Sequence, residues 1–219
     1  FSWKYSDAKA DERHVMFRHP CYAPALSNPS YEFEDLLEKS LPFWETALLE
    51  KGDRNNYHTN IELIQLPEEK TGTWSEKYQN KIHGATEAIK QYEVIKAIIE
   101  KAKQLARRNA YSLMVMEQIN NLQIYPARLL LLFSKFDKAT SAADKQAAKD
   151  NIKKYVSNFS EVRKNYENVY SMTRILNNPA DYIPDQNHHE HLANGTINNE
   201  WMFVYELAMN QKINHWINE

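Results

Sequence analysis

The chain has 219 residues, 42% of them hydrophobic, which suffices for a core in one or two domains. Only 4 residues are glycine, too few for the turns and phosphate loops of a Rossmann unit, a P-loop or a many-hairpin β fold. The charges sum to 27 − 29 = −2, so the chain lacks the basic field that favours nucleic-acid binding. It also lacks a run of 18 apolar residues, so no membrane span is predicted.

Residues 1–30 are the first predicted region, an extended arm rich in aromatic residues. Three prolines in it, at positions 20, 24 and 29, interrupt any helical register. We expect the arm to pack on the body of the protein or on a neighbouring domain. The chain opens on Phe1 and reads as part of a longer polypeptide, in which residues 31–219 form a single helical bundle domain.

A helical pattern follows over Tyr31–Leu49. Pro42 divides it, and we expect Ser40 to cap a second helix that Gly52 ends. The polar stretch after Gly52 holds a short apolar segment, Ile61–Leu66, whose type the pattern leaves open.

The next helix is predicted to begin at Thr73, because Glu76 three residues later completes a capping box. Its pattern continues to about residue 108, after which 107–109 is either a turn or more helix. Apolar residues recur at spacings of three or four along one helix face: Ile82, Ala85, Ile89, Tyr92, Ile95 and Ile99. Residues 111–136 are also helical in composition, and Pro126 either starts a new helix there or kinks this one.

The most regular pattern follows a second start signal, formed by Ser141 and Asp144. Spacings of four and three alternate through Ala148, Ile152, Tyr155, Phe159, Val162, Tyr166, Val169 and Thr173. They predict one helix of about 39 Å with an a/d seam. No charge pattern flanks the seam to specify a partner chain, so it favours an antiparallel bundle over a dimeric coiled coil.

The last predicted helix, about Asn199–Ile217, follows a long irregular loop at Ile175–Glu200. The apolar members of this helix include Trp201, Val204, Tyr205, Ala208, Met209, Ile213 and Trp216. The fold prediction is therefore all-α: an antiparallel bundle of long helices with an irregular N-terminal arm and a long irregular loop before the last helix.

The loop carries the densest group of polar side chains in the sequence. The candidate ligand or interface residues are Tyr182, Asp185, His188, His189 and His191 in this loop and Trp201 at the start of the last helix. Imidazole and carboxylate are good ligands for zinc, nickel or copper. Because the loop has neither an H-E-x-x-H sequence nor a cysteine, the pattern favours a loop pinned to the bundle by its side chains. We therefore assign no metal ligands, no cofactor and no catalytic residues.

Five short motifs carry a family resemblance: YSMTR (170–174), NP (178–179), YIPD (182–185), HHEHLAN (188–194) and NEWMFVYE (199–206). They resemble the helical C-terminal region of bacterial family 20 glycoside hydrolases, the β-N-acetylhexosaminidases found in Bacteroidetes. The likeness covers about residues 110–217 and is strongest from residue 165. The family's catalytic Asp-Glu pair stands in a His-x-Gly-Gly-Asp-Glu-like motif, which this sequence lacks; its own Asp11-Glu12 has neither the glycines nor the histidine.

The resemblance implies a non-catalytic accessory domain of a glycan-degrading enzyme. Its partner would be the catalytic barrel of the same polypeptide, with the glycan substrate as a possible second contact, and its location periplasmic or extracellular. Two alternatives stay open: a free-standing helical protein-interaction module, and a metal-binding helical domain that uses the histidine-rich loop.

Overall fold

The computed structural model describes residues 22–27, 31–54, 60–68, 70–172 and 203–218. This part of the chain is an all-α bundle, as predicted, and it also contains a small two-stranded sheet. The elements are a short 3-10 helix at Pro24–Ser27, the helices Phe33–Ala47 (α1), Thr73–Lys77 (α2), Gln79–Leu105 (α3), Ala110–Lys138 (α4), Ala142–Ser157 (α5), Phe159–Ser171 (α6) and Val204–Asn218 (α7), and the strands Leu49–Lys51 (β1) and Glu62–Leu63 (β2).

Helices α3 and α4 form the centre of the bundle. They pack along each other and are joined by a turn at residues 106–109, in which Asn109 has a positive φ of 53°. Of the two alternatives for this segment, the turn is therefore the one observed. The predicted core face of α3 is confirmed, since Ala85, Tyr92, Ile95 and Ile99 are buried. Helices α1, α2, α5 and α6 all pack on α4, whose buried side chains supply much of the core.

Helix α1 differs from the prediction of two helices. It runs from Phe33 to Ala47 with Pro42 inside it. Ser40 is therefore not a cap: its hydroxyl bonds the carbonyl of Leu37 at 2.7 Å and Oε1 of Gln123 on α4 at 2.6 Å. The packing of α1 on α3 and α4 offsets the backbone hydrogen bond that a proline inside a helix removes.

Gly52 does not end a helix, because α1 stops at Ala47 and β1 follows. With a φ of 94°, Gly52 ends β1 instead. The segment Ile61–Leu66, whose type the sequence pattern left undecided, contains the short strand β2. This strand pairs with β1 in antiparallel fashion, with Leu49 opposite Leu63. A buried residue just beyond β2 extends the pairing, as the Ile64 N–H donates to the carbonyl of Leu48 at 2.9 Å.

Thr73 is the first residue of α2, but the predicted capping box does not form. The N-cap is Gly72, with a left-handed conformation, and it makes no side-chain cap. The carboxylate of buried Asp137, at the end of α4, accepts the N–H of Ser75 at 2.8 Å and that of Trp74 at 3.4 Å. A carboxylate from a distant helix thus takes the place of a local cap.

The predicted single helix with an a/d seam is two helices, α5 and α6, which meet at Asn158. The seam still faces the core on both sides of the break, since Ala148, Ile152 and Phe159 are buried. Each of the two helices packs on α4, and this tertiary contact is what the heptad pattern reflects. The start signal is confirmed: Ser141 caps α5 by accepting the N–H of Asp144 at 3.0 Å.

Pro126 lies inside α4, so it does not start a new helix. The last helix is confirmed as α7, whose described bounds are Val204–Asn218. Residues 1–21 of the arm and residues 173–202, which include the predicted loop, lie outside the described part of the chain.

Candidate functional site

All the site residues expected from the sequence lie outside the described part of the chain: Tyr182, Asp185, His188, His189, His191 and Trp201. Their arrangement stays a prediction. Among the residues that the structure does describe, no group of three or more His, Cys, Asp and Glu side chains could hold a metal ion.

An open groove of about 700 Å³ lies where the β2–α2 connection meets α4, α5 and the end of α7. Leu66 and Pro67 form its apolar side, and Ala142 lies at the start of α5. The aromatic wall consists of Phe136 and Trp216, whose ring centroids are 4.9 Å apart in an edge-to-face contact. The groove falls in the size range of ordinary ligand sites, about 300–1,000 Å³.

Two ammonium groups reach the aromatic wall from α5. Lys145 places its Nζ 5.8 Å from the ring centre of Phe136, and Lys149 places its Nζ 5.1 Å from that of Trp216. Both lysines line the groove and are half-buried. Their aliphatic stems therefore cover the aromatic surface while their charges lie at the groove.

Few other polar groups line the groove among the residues that the structure describes. Glu68 contributes a carboxylate and Gln146 an amide, and both are exposed. The amide nitrogen of Gln146 donates to Oδ1 of Asp150 at 2.9 Å. The ionisable side chains among the described lining residues are two lysines and one glutamate.

A second polar feature is buried between the start of α7 and the segment after β1. Arg54 and Glu206 form a two-point ion pair, with Nη2–Oε1 at 2.7 Å and Nη1–Oε2 at 3.4 Å. Each side chain is 1% exposed. The guanidinium also lies over the ring of Trp44 at 3.8 Å and that of Tyr205 at 4.9 Å, whereas its Nε makes no hydrogen bond. This pair locks α1, α7 and the segment after β1 together.

Two tyrosines, the buried Tyr125 and the partly buried Tyr155, continue the polar contacts along α4 and α5. The hydroxyl of Tyr125 donates to Oδ1 of Asn210 on α7 at 2.8 Å, and that of Tyr155 donates to the carbonyl of Tyr125 at 3.2 Å. Their rings stack at 4.9 Å. Burial raises the pKa of both phenols far above their usual value, so both stay protonated and act as donors.

A third cluster ties the sheet to the start of the bundle. The Tyr78 hydroxyl donates to Glu50 and accepts the N–H of Gln65 at 3.0 Å, while Lys77 lies 3.1 Å from Glu50. The hydrogen bond from Tyr78 lowers the pKa of Glu50, and Lys77 lowers it further. Burial, together with the bond to Glu50, raises the pKa of Tyr78. The donors and acceptors of this cluster satisfy one another, so the cluster stabilises the junction between the sheet and the start of the bundle.

Sequence reasoning missed the groove and the Arg54–Glu206 pair. The sequence did contain one signal: Lys145 and Lys149 are four residues apart on α5, a spacing that places two charges on the same face of a helix. Their aromatic partner Trp216 lies 67 residues beyond Lys149 (216 − 149), and only the packed bundle brings them together.

Comparison of the chain with protein-family models, with curated proteins and with solved structures finds no match. None of the helices in the described ranges is long and apolar enough to cross a membrane.

Proposed function

We propose that this chain is a non-catalytic helical accessory domain of a glycan-degrading enzyme, a β-N-acetylhexosaminidase, and that it packs beside the catalytic barrel of the same polypeptide. The observation that carries the proposal is that the buried charged side chains make structural contacts with one another and with the backbone. Arg54 with Glu206, and Asp137, lie in contacts that hold elements of the bundle together, while Arg163 and Glu167 pair with each other within α6. General acid–base chemistry needs such groups at an open cavity instead.

The lining of the groove supports the same proposal. A glycosidase needs two carboxyl groups that flank one bond at about 5–9.5 Å. Among the residues that the structure describes, the groove is lined by one carboxylate, Glu68, and by two lysines. Its rings, amide and ammonium groups are suited to contact a ligand and not to cleave it. The sequence motifs between 165 and 206 point to the same family of enzymes.

The reading frame that contains the codon of Phe1 tests the proposal directly. We expect it to encode, upstream, a barrel with an Asp-Glu pair after a His-x-Gly-Gly sequence. A frame without such a barrel would contradict the proposal and favour a free-standing interaction module. Metal analysis of the purified chain addresses the other alternative, since a stoichiometric transition metal would favour the histidine-rich loop as a metal site.

A further inference from the structure

We propose that a small cavity between α1, α3 and α4 binds one ordered water molecule, which the side-chain amides of Asn120 and Gln123 hold. The cavity shares no lining residue with the groove described above. The proposal does not depend on what the reading frame encodes and is therefore independent of the proposed function.

The size of the cavity is the first argument. Its volume is about 10 Å³, and one buried water molecule needs about 10–15 Å³. Pockets for small-molecule ligands measure about 300–1,000 Å³, so the cavity excludes such ligands. Phe43 and the buried Ile95 and Ile124 supply apolar walls, so a bound water has to find its hydrogen bonds at a few polar groups.

Asn120 supplies the acceptor for this water. It lines the cavity and is 3% exposed. Its Nδ2 donates to the carbonyl of Tyr92 on α3 at 3.2 Å, whereas its Oδ1 accepts no hydrogen bond from any residue that the structure describes. That oxygen nevertheless lies within reach of a water-sized sphere. An unpaired oxygen in so buried a residue costs free energy, and a water molecule in the cavity satisfies it.

Gln123 supplies the donor. It lines the cavity, is half-buried and follows Asn120 by three residues, so the two amides are neighbours on one face of α4. Its Oε1 accepts the hydroxyl of Ser40 on α1 at 2.6 Å, whereas its Nε2 has no acceptor within the described ranges of the chain. One water can therefore accept from Nε2 of Gln123 and donate to Oδ1 of Asn120.

The water completes a polar network between three helices. The hydrogen bond from Ser40 to Gln123 joins α1 to α4, and the one from Asn120 to Tyr92 joins α3 to α4. The water links these two bonds, so that each amide uses both its donor end and its acceptor end.

Nuclear magnetic resonance of the 219-residue chain tests the site. We expect nuclear Overhauser cross-peaks between water and the side-chain amide protons of Asn120 and Gln123, with the sign that marks a long-lived water molecule. Oxygen-17 relaxation dispersion counts such waters, and it does not respond to exchange of the hydroxyl protons of Ser40 and Tyr92, which also line the cavity.

Variants locate the water. Ala88→Val fills the cavity, because Ala88 lines it, and leaves both amides in place. Both cross-peaks should be lost, and the oxygen-17 count should fall by about one water. Ala97→Val is the matched control and should change neither signal, because Ala97 lies on the same helix, is exposed and does not line the cavity. Gln123→Met removes the donor and should weaken the cross-peak at Asn120. Circular dichroism checks that the variants stay folded.

Four results would overturn the proposal. They are no water cross-peak at either amide of the unsubstituted chain, cross-peaks that stay unchanged in Ala88→Val or Gln123→Met, an equal loss in Ala97→Val and Ala88→Val, and an oxygen-17 count that Ala88→Val does not lower. The first result needs no variant, so the proposal can fail even where a substitution unfolds the chain.

Discussion

Replacing Glu206 by Gln is expected to destabilise the bundle more than any comparable surface change. The substitution keeps the size of the side chain but removes its charge, and it leaves the Arg54 guanidinium buried without a counter-ion. Both side chains are 1% exposed and meet at 2.7 Å and 3.4 Å. The Nε of Arg54 already lacks a hydrogen bond, so the site has no spare acceptor. Breaking a buried pair from one side costs about 3–5 kcal/mol.

The measurement is the free energy of unfolding in urea, followed by circular dichroism. Glu87→Gln is the matched control, since Glu87 pairs with Lys90 at 2.7 Å but both side chains are more than half exposed. It should cost less than about 1 kcal/mol. The double change Arg54→Met with Glu206→Leu should recover most of the loss, because it removes both charges and keeps apolar contact with Trp44.

A loss below about 1 kcal/mol for Glu206→Gln would refute this reasoning, because an exposed pair costs no more than that. It would mean that water reaches the guanidinium and that the pair does not lock α7 to the rest of the bundle. Failure of the double variant to exceed Glu206→Gln in stability would contradict the desolvation argument in particular.

Three further changes test other contacts by the same unfolding measurement. Asp137→Ala leaves two N–H groups of α2 without their acceptor and should lower the free energy of unfolding by about 2–3 kcal/mol. Ser141→Ala, which removes an exposed cap, should lower it by about 1 kcal/mol. Equal losses for the two variants would contradict the capping of α2 by Asp137. Gly52→Ala should cost more than Gly72→Ala, although both have positive φ. A Cβ at Gly52 would lie 2.5 Å from Cδ1 of Ile61, whereas a Cβ at Gly72 would meet no atom within 4 Å. Glu50 has a lowered pKa, so its contribution is present above about pH 4.3 and is lost as the pH falls through its folded pKa. Glu50→Gln should therefore flatten the acid limb of stability against pH, and an unchanged limb would argue against the contact with Tyr78.

Local signals in the sequence predicted local structure well. Ser141 caps α5 as expected, because the bond between its hydroxyl and the N–H of Asp144 spans only three residues. The spacing of apolar residues also predicted the buried face of α3, since that face depends on helical geometry alone.

Distant contacts account for the errors. Pro42 stays inside α1 because packing on α3 and α4 overrides the local cost of a proline. The cap of α2 comes from Asp137, 62 residues beyond Ser75 (137 − 75). The capping box predicted from the nearby Glu76 was therefore wrong. Asn158 interrupts a regular heptad seam because the seam reflects packing on α4, which two successive helices satisfy as well as one.

The candidate groove could not be predicted, because four separate segments line it. The sequence shows the lysine pair on α5 and shows Trp216 in the last helix, but no local pattern relates them. The candidate residues that the sequence did single out, such as His188 and His191, lie outside the described part of the chain and stay predictions.

Hydrolysis of a chromogenic N-acetyl-β-glucosaminide is the most direct test of the central claim. The polypeptide encoded by the whole reading frame and the purified 219-residue chain are compared at equal concentration. The accessory-domain proposal predicts turnover by the whole polypeptide and none by the 219-residue chain. Turnover by a clean preparation of the chain itself, or none by the whole polypeptide, would contradict it.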